Sequence, residues 1–492
     1  MHQISVAALR NLRRPDLFVG KAFIGGQWLE AEGSFSVEDP ACGETIGYVS
    51  DCGTHHVDHA VERASKAYIM WRGVLARDRG AMLQRWARLL RKHAQDLAVI
   101  LVAEQGKPRR EALNEIDYAA SFLDWFAAEG ERAYGETIPS HKPACQLAVT
   151  MKPIGVVAAI TPWNFPSAMI ARKAAAALAA GCTVIVKPAP DTPFSALALA
   201  KLAEQAGIPA GVFQVVTGMG PELARRLISH PEVRALSFTG STEVGRSLLE
   251  QAAHSVKKVS MELGGHAPFL AFEDTDVPRT AEGCVAAKFA TSGQDCLAAN
   301  RIYVQEGIYD AFLRSFSWAV ERLEVGHGLT EKIDIGPMTR ASVAENCRAH
   351  IRDALAKGAR LIRGGVDHPL GGNFVSPTIL AGVTEQMRIA REETFGPVAA
   401  ILPFATEREV LARANNSEMG LAAYVYTRDL SRAIRVSDQL EYGMVAVNTT
   451  SFTGAPIPFG GCKQSGLGRE GSRHGLLEFM EPKYVCIGGL TA

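Results

Sequence analysis

The sequence lacks an excess of either charge, since Lys plus Arg and Asp plus Glu each number 52. Without a strongly basic surface, we expect neither nucleic acid nor a membrane among its partners. It also lacks a long apolar run: the most apolar stretch, residues 168–186, contains Arg172 and Lys173. The first twenty residues have no apolar core or cleavage signature of a signal peptide, so a cytoplasmic location is expected.

Zinc-binding and disulfide patterns are missing as well. The nine cysteines are odd in number and form no CxxC motif, which indicates a reducing compartment. His55, His56 and His59 have helical spacing but no HExxH motif, so they are interpreted as a solvated helix face. We therefore expect no metal site.

The alternation of short β-rich runs and helical stretches predicts the fold. A chain of 492 residues is too long for one hydrophobic core, so two or three domains are expected. Alternation with short loops requires right-handed crossovers and parallel sheets, which predicts an α/β fold with two doubly wound, Rossmann-like domains. The predicted strands are residues 154–160, 183–187, 212–216, 233–238, 257–261, 301–305, 398–404, 422–426 and 444–447.

Three crossover helices are predicted in the first sheet, at residues 167–180, 193–206 and 221–229. Upstream of them, residues 77–106 have helical periodicity throughout. The short β-rich segments 146–151 and 484–487 fit neither sheet, and we interpret them as edge strands that could pair across subunits.

Polar or glycine-rich segments follow four of the predicted strands, at residues 161–166, 187–191, 239–245 and 262–265. Ligands of parallel sheets gather at the carboxyl ends of the strands, so a nucleotide site is expected there. The GSTEVG segment at residues 240–245 lacks the middle glycine of GxGxxG. By itself it fits an ordinary turn as well as a phosphate-binding helix start.

Two residues are candidates for chemistry. Cys296 lies in the polar segment SGQDC, and Glu262 ends an apolar strand. Each has an ordinary interpretation, as an inert buried thiol or as a carboxylate that caps a loop. Together with an amide donor and a nucleotide site, however, they form the set of groups needed to oxidise an aldehyde.

Seven motifs, in order along the chain, carry a family resemblance. They are PWNFP, KPAPDTP, FTGSTEVG, MELGGHAP, SGQDC, EETFGPV and PFGG followed by KQSGLGREG. The chain thereby resembles the aldehyde dehydrogenase superfamily from about residue 19 to residue 490. Its succinate-semialdehyde branch is the most similar, through SAMIARKAAAALAAGCTVIVKPA, TPFSALALA and KYVCIGGL.

The resemblance implies oxidation of an aldehyde, such as succinic semialdehyde, with NAD(P) as cofactor. Cys296 would attack as a thiolate, while Asn164 and the Cys296 N–H hold the oxyanion. Glu262 would activate water to hydrolyse the thioester. Because of Glu262, a CoA-acylating enzyme is disfavoured, and the complete set of groups disfavours a non-catalytic scaffold protein. The implied cofactor-binding residues are Ile160, Trp163, Asn164, Lys187, Pro190, Gly240, Ser241, Val244, Leu263, Glu393 and Phe395.

The resemblance also implies the domain organisation. Residues 1–134 and 155–262 would form the cofactor-binding domain, and residues 263–470 the catalytic domain. Residues 135–154 and 471–492 would form a small β arm that joins subunits into a homodimer or homotetramer.

The chain departs from the family pattern at the expected cofactor site. Pro190 stands where many NAD-preferring relatives have a glutamate that binds the ribose and repels a 2′-phosphate. Discrimination against NADP should therefore be weak, unless Asp191 substitutes for that glutamate.

Further departures lie near the nucleophile. Arg172 is implied to bind the substrate carboxylate, but Ala290 stands where a second arginine is usual. Asp295, implied to contact substrate, precedes Cys296 and would raise its pKa unless it points away to a backbone amide. Ala298 excludes a second thiol two residues after the nucleophile.

Overall fold

The computed structural model describes residues 3–489. The predicted domain ranges 1–134 and 471–492, and the motif that ends at residue 490, extend beyond the described residues. None of the helices within residues 3–489 is long and apolar enough to cross a membrane.

Helices and strands alternate over most of the chain. The α-helices are α1 (Ile4–Arg10), α2 (Thr54–Trp71), α3 (Ala76–Lys92), α4 (Ala94–Gln105), α5 (Arg109–Glu129), α6 (Ala168–Ala180), α7 (Pro193–Gln205), α8 (Glu222–Ser229), α9 (Thr242–Ala253), α10 (Val277–Phe289), α11 (Tyr309–Glu321), α12 (Ala341–Ala356), α13 (Glu407–Asn415), α14 (Leu430–Gln439) and α15 (Ser472–Leu477). The strands are β1 (Ala22–Ile24), β2 (Gln27–Leu29), β3 (Gly33–Glu38), β4 (Thr45–Asp51), β5 (Glu136–Ile138), β6 (Cys145–Pro153), β7 (Val156–Ile160), β8 (Thr183–Lys187), β9 (Phe213–Val215), β10 (Val233–Thr239), β11 (Lys258–Glu262), β12 (Ala267–Ala271), β13 (Ala299–Gln305), β14 (Arg360–Arg363), β15 (Thr378–Ala381), β16 (Val398–Phe404), β17 (Met419–Gly420), β18 (Ala422–Tyr426), β19 (Met444–Val447), β20 (Cys462–Lys463), β21 (Gly466–Leu467) and β22 (Met480–Gly488).

The first sheet has eight strands in the order β2-β1-β9-β8-β7-β10-β11-β21. Strands β9, β8, β7, β10 and β11 are parallel, whereas β1, β2 and β21 pair antiparallel at its two edges. Every residue of β7 and β8 is buried because helices cover both faces. This arrangement places the carboxyl ends of β7, β8, β10 and β11 side by side.

The second sheet has seven strands in the order β14-β15-β16-β13-β12-β18-β19, parallel except for the β14–β15 pair. A third sheet has the order β22-β6-β5, in which β22 and β6 pair antiparallel over nine residues each. Two doubly wound sheets and a small β arm are the predicted fold class, which is confirmed.

Some local predictions were wrong. Residues 77–106 are helical as predicted, but they form two helices, α3 and α4, which His93 separates with φ of −108° and ψ of 18°. Strands β1 to β4 were not predicted, and β1, β2 and β21 make the edges of the first sheet antiparallel. His56 is buried rather than solvated, and its Nδ1 accepts a hydrogen bond of 3.2 Å from the Gly53 N–H.

Candidate active site

A cavity of about 940 Å³ opens where loops from the two large sheets face each other. It contains ten of the residues that the sequence singled out for catalysis or binding, together with Ala290. Those ten lining residues are Trp163, Asn164, Arg172, Gly240, Ser241, Leu263, Asp295, Cys296, Glu393 and Phe395. The structure therefore brings together segments that lie more than two hundred residues apart in the chain.

An unusual turn presents Cys296 to the cavity. Thr291 and Ser292 both have left-handed backbone conformations, with φ of 51° and 58°. Side chains with a Cβ rarely adopt this region, so surrounding contacts must hold the turn. Glu111 provides one such contact, because its Oε2 accepts a hydrogen bond of 2.9 Å from the Thr291 N–H. Gly265 allows close packing, since a Cβ there would lie 2.0 Å from the Cys296 carbonyl oxygen.

The surroundings of Cys296 disfavour its thiolate form. Burial raises the pKa of its thiol well above the ordinary value, and the neighbouring Asp295 carboxylate raises it further. Asp295 Oδ1 accepts a hydrogen bond of 3.0 Å from the Leu297 N–H. Asp295 thus meets both expectations, because it bonds to a backbone amide and still acts on the thiol through its charge.

Asn164 is held close to the nucleophile's loop. One amide hydrogen on its Nδ2 is donated to the Gln294 carbonyl at 3.0 Å, which leaves the second for a ligand. The buried Lys107 fixes the loop from below, because its Nζ donates to the Asn164 carbonyl at 2.7 Å and to Glu115 Oε2 at 2.6 Å. The Asn164 amide is therefore a preorganised donor at the cavity wall.

Glu262 lies outside the cavity lining, in a buried site at the end of β11. Within residues 3–489, neither of its carboxylate oxygens has a hydrogen-bond partner. Gly460 leaves room for it, since a Cβ there would lie 2.8 Å from Glu262 Oε1. Burial and the nearby Glu470 raise the pKa of Glu262 well above its ordinary value, while Lys173 lowers it. Burial without a hydrogen-bond partner therefore favours the neutral form of this carboxyl group.

Arg172 lines the cavity but already has partners. Its Nη2 donates to the Tyr118 hydroxyl at 2.8 Å and its Nη1 lies 3.4 Å from Glu470 Oε2. Its guanidinium carbon also lies 4.1 Å from the ring centroid of Phe459. Glu470 neutralises part of the charge of Arg172 and also pairs with Lys173.

Several of the implied cofactor residues surround the start of α9. Ser241 caps this helix, with its Oγ accepting from the Val244 N–H at 3.4 Å. Gly240 is packed so closely that a Cβ would lie 2.4 Å from the Phe238 ring. Glu393 Oε1 accepts from the Gly265 N–H at 3.1 Å, and burial raises its pKa to about 8.

Ile160, Lys187, Pro190 and Val244 lie outside the lining of this cavity. Ile160 ends β7 as a buried residue. Lys187 Nζ donates to the carbonyl oxygens of Pro188 and Gly218 at 3.2 and 3.4 Å, and burial lowers its pKa to about 8.

Pro190 and Asp191 line a second cavity of about 830 Å³. The alternative that Asp191 replaces a ribose-binding glutamate stays a prediction, and its carboxylate is paired with Arg340. Arg340 takes one acceptor site on each oxygen of Asp191, and the other lone pairs stay open to donors such as ribose hydroxyls.

Some residues that shape the site belong to no sequence motif and were not predicted. Tyr118 and Phe459 complete the cavity wall around Arg172, Phe452 lines the same cavity, and Lys107 and Glu115 fix the Asn164 loop. Burial of lysine and glutamate is unusual unless they are paired, but only the folded chain reveals which ones meet. Separately, potential ligand atoms of Glu32, His55 and His56 lie within 4.8 Å of one another.

The fold and site define an aldehyde-oxidising enzyme, and comparison with known proteins places it in a family. The profile described as "Aldehyde dehydrogenase family" matches residues 28–485, so the chain belongs to the aldehyde dehydrogenase family. It is an oxidoreductase that acts on aldehydes.

Two curated relatives and one solved structure illustrate the similarity. The chain is 51% identical to the NADP-dependent succinate-semialdehyde dehydrogenase GabD of Escherichia coli, over 97% of this chain and 100% of that protein. It is 50% identical to a glutarate-semialdehyde dehydrogenase of Pseudomonas aeruginosa, over 98% of this chain and 100% of that protein. A crystal structure of an E. coli NADP-dependent enzyme matches with a TM-score of 0.96 and 51% identity, covering 97% of this chain and 100% of that one.

Proposed function

We propose that the protein oxidises a small semialdehyde with a distal carboxylate to the corresponding acid, using NAD(P). The observation that carries this proposal is the meeting of three groups in one cavity. Cys296, the free amide hydrogen of Asn164 and the guanidinium of Arg172 all line it. They supply a nucleophile, an oxyanion donor and a cation for an anionic substrate group.

The residues present fit a dinucleotide. The start of α9, which Ser241 caps, offers backbone N–H groups suited to phosphate oxygens, and Gly240 has no side chain that would obstruct a ligand there. Lys187 supplies a buried ammonium, and Glu393 a carboxyl group, for ribose hydroxyls. When bound, NAD(P) would accept the hydride that leaves the substrate carbon, and this loss of hydride converts the tetrahedral adduct on Cys296 into the thioester.

In the acylation half-reaction, Cys296 loses its proton and the thiolate attacks the aldehyde carbon. The second amide hydrogen of Asn164 and the Cys296 N–H stabilise the resulting oxyanion. Because burial raises the pKa of the thiol, this half-reaction becomes faster as the pH rises.

In the deacylation half-reaction, Glu262 takes a proton from the water that attacks the thioester. Its raised pKa suits it to this role, since a base works best when its pKa is near the working pH. Glu262 must first lose its own proton, so deacylation also becomes faster as the pH rises. Because Glu262 lies outside the lining of the cavity that contains Cys296, we propose that its carboxyl group turns towards Cys296 for this step.

The substrate proposal depends on Arg172 and Ala290. Both curated relatives are named for semialdehydes of dicarboxylic acids that differ by one methylene. Here Arg172 shares its charge with Glu470, and Ala290 supplies none. We therefore propose that this enzyme accepts succinic and glutaric semialdehydes with a single, partly neutralised cation.

Steady-state kinetics on Ala290→Arg test this proposal. A second guanidinium should raise kcat/KM for succinic semialdehyde by about ten- to a hundredfold, the effect of one charge-assisted hydrogen bond. A neutral aldehyde of similar length, as matched control, should change by less than about twofold. An equal gain for both aldehydes, or a gain for neither, would remove the carboxylate from substrate recognition.

A further inference from the structure

An ion pair connects segments of the two large sheets beside the second cavity. Asp191 follows β8 of the first sheet, and Arg340 directly precedes α12 of the second. Arg340 Nε donates to Asp191 Oδ1 at 2.8 Å, and Arg340 Nη2 donates to Asp191 Oδ2. The arginine side chain is 43% exposed and the aspartate 23%, so solvent and ligands can reach the pair.

The surroundings of this pair belong to the proposed cofactor site. Pro190 and Met219 line the same cavity, and Lys187 donates to the carbonyl next to Met219. The guanidinium carbon of Arg340 lies 5.9 Å from the ring centroid of Trp163, which lines the first cavity. Arg340 therefore lies between the two cavities, close to the residue proposed to hold a ribose.

The guanidinium has donors to spare. Arginine carries five N–H donors in a rigid planar fork, of which Asp191 takes two. A phosphomonoester carries nearly two negative charges and three acceptor oxygens at neutral pH, which makes it a stronger partner for arginine than one carboxylate. Pro190 adds no negative charge that would repel such a group.

We propose that Arg340 binds the 2′-phosphate of NADP, and that Asp191 holds Arg340 when no phosphate is present. This inference rests on the proposed function, in which Lys187 holds the adjoining ribose. When NAD is bound, Arg340 stays paired with Asp191 and does not contribute to cofactor binding. With NADP, the guanidinium exchanges the carboxylate for the phosphate. The Asp191–Arg340 pair thus sets the preference between the two cofactors.

Binding measurements on the intact protein test the inference without turnover. Dissociation constants for NADP, NAD and 2′,5′-ADP would be measured by isothermal titration calorimetry for the parent, Arg340→Gln and Asp191→Asn. Arg340→Gln should raise the dissociation constants of NADP and 2′,5′-ADP by about ten- to a hundredfold. The dissociation constant of NAD should change by less than about twofold. Asp191→Asn removes the carboxylate that competes for Arg340, so the dissociation constants of NADP and 2′,5′-ADP should fall by a few fold.

Arg352→Gln is the matched control. It removes a guanidinium from the exposed face of the same helix, where Arg352 pairs with Glu345 at 2.5 Å. It should leave all three dissociation constants unchanged.

If Arg340→Gln weakens the binding of NAD and NADP equally, the Asp191–Arg340 pair is only a structural contact between the two sheets. That outcome would overturn the inference. No change with either cofactor would likewise overturn the inference, while leaving the proposed function intact. A parent protein that binds none of the three nucleotides would contradict the proposed function itself, and the inference with it.

Discussion

At the scale of single residues, burial and the Asp295 carboxylate together make Cys296 harder to ionise. Burial is the larger influence on the thiol pKa, and the Asp295 carboxylate is the next largest. Asp295 cannot move far, because the Leu297 N–H holds one of its oxygens. The acidic neighbour therefore adds to the effect of burial in raising the pKa of the nucleophile.

Asp295→Asn should make Cys296 more reactive. Removing the carboxylate lowers the thiol pKa, so more thiolate is present at pH 7 and iodoacetamide should inactivate the enzyme about three- to tenfold faster. The amide can still accept from the Leu297 N–H, so the loop should keep its conformation. In the parent, the inactivation rate should keep rising with pH beyond 9. A parent rate that levels off near pH 8, or an unchanged rate in the variant, would contradict this description of the thiol.

The candidate site was predictable residue by residue only where motifs mark it. Cys296, Asn164 and the loop around Gly240 stand in recognisable segments, and all three line the cavity. The partners of Arg172 were not predictable. Tyr118 and Glu470 lie 54 and 298 residues away from it in the chain, and only the packing of α5 against α6 and the return of the C-terminal segment bring them together.

At the scale of secondary-structure elements, a buried ion pair fixes the start of α6. Glu115 Oε1 accepts from the Ser167 and Ala168 N–H groups at 2.9 and 3.2 Å, while its Oε2 holds Lys107. Each of the paired side chains is 1% exposed. The pair thus has two effects: it satisfies the free backbone N–H groups at the start of α6, and it orients the Asn164 loop.

Glu115→Ala should destabilise the protein by about 3–5 kcal/mol, because it leaves Lys107 charged and buried without a carboxylate. The free energy of unfolding from a urea titration measures this change. Replacing both residues, with Lys107→Met and Glu115→Leu together, should cost less than the single change. Glu62→Ala in the exposed Glu62–Lys66 pair is the control and should leave stability almost unchanged. A similar loss in Glu62→Ala, or a double variant less stable than Glu115→Ala, would contradict the role given to the pair.

The elements themselves were predictable where strands are continuous apolar runs, whether almost fully buried, as β8, β16 and β18 are, or half-buried at a sheet edge, as β19 is. Four strands, β8, β16, β18 and β19, have the predicted bounds at both ends. The strands β1 and β2 have three residues each, too few for a periodic pattern to stand out. The break between α3 and α4 was hidden because His93 is neither glycine nor proline.

At the scale of the whole molecule, the small β arm is the surface proposed to join subunits. Its outer strand β22 carries Tyr484 and Ile487, which are 55% and 51% exposed. In the order β22-β6-β5, both outer strands have free edges among the described residues. Exposed apolar side chains beside an open strand edge are suited to pairing with a second chain. We propose that residues 135–154 and the described part of 471–492 serve this purpose in a homodimer or homotetramer.

Ile487→Asp should weaken that assembly. A charge at the centre of an apolar contact is costly to bury, so light scattering coupled to gel filtration should find smaller species than for the parent. Ile434→Asp, at an exposed isoleucine of α14, is the matched control and should leave the mass unchanged. A parent that elutes as a monomer, or an oligomer that survives Ile487→Asp, would contradict the proposed arm.

The central claim is that the reaction passes through a thioester at Cys296 that Glu262 helps to hydrolyse. Intact-protein and peptide mass spectrometry of Glu262→Gln, mixed with succinic semialdehyde and NAD(P), test it most directly. The amide cannot accept the proton of water, so about one acyl group per chain should accumulate on the Cys296 peptide. The same mixture with Cys296→Ser should gain no mass. An unmodified Glu262→Gln protein that still turns over, or an acyl group on any other residue, would contradict the claim.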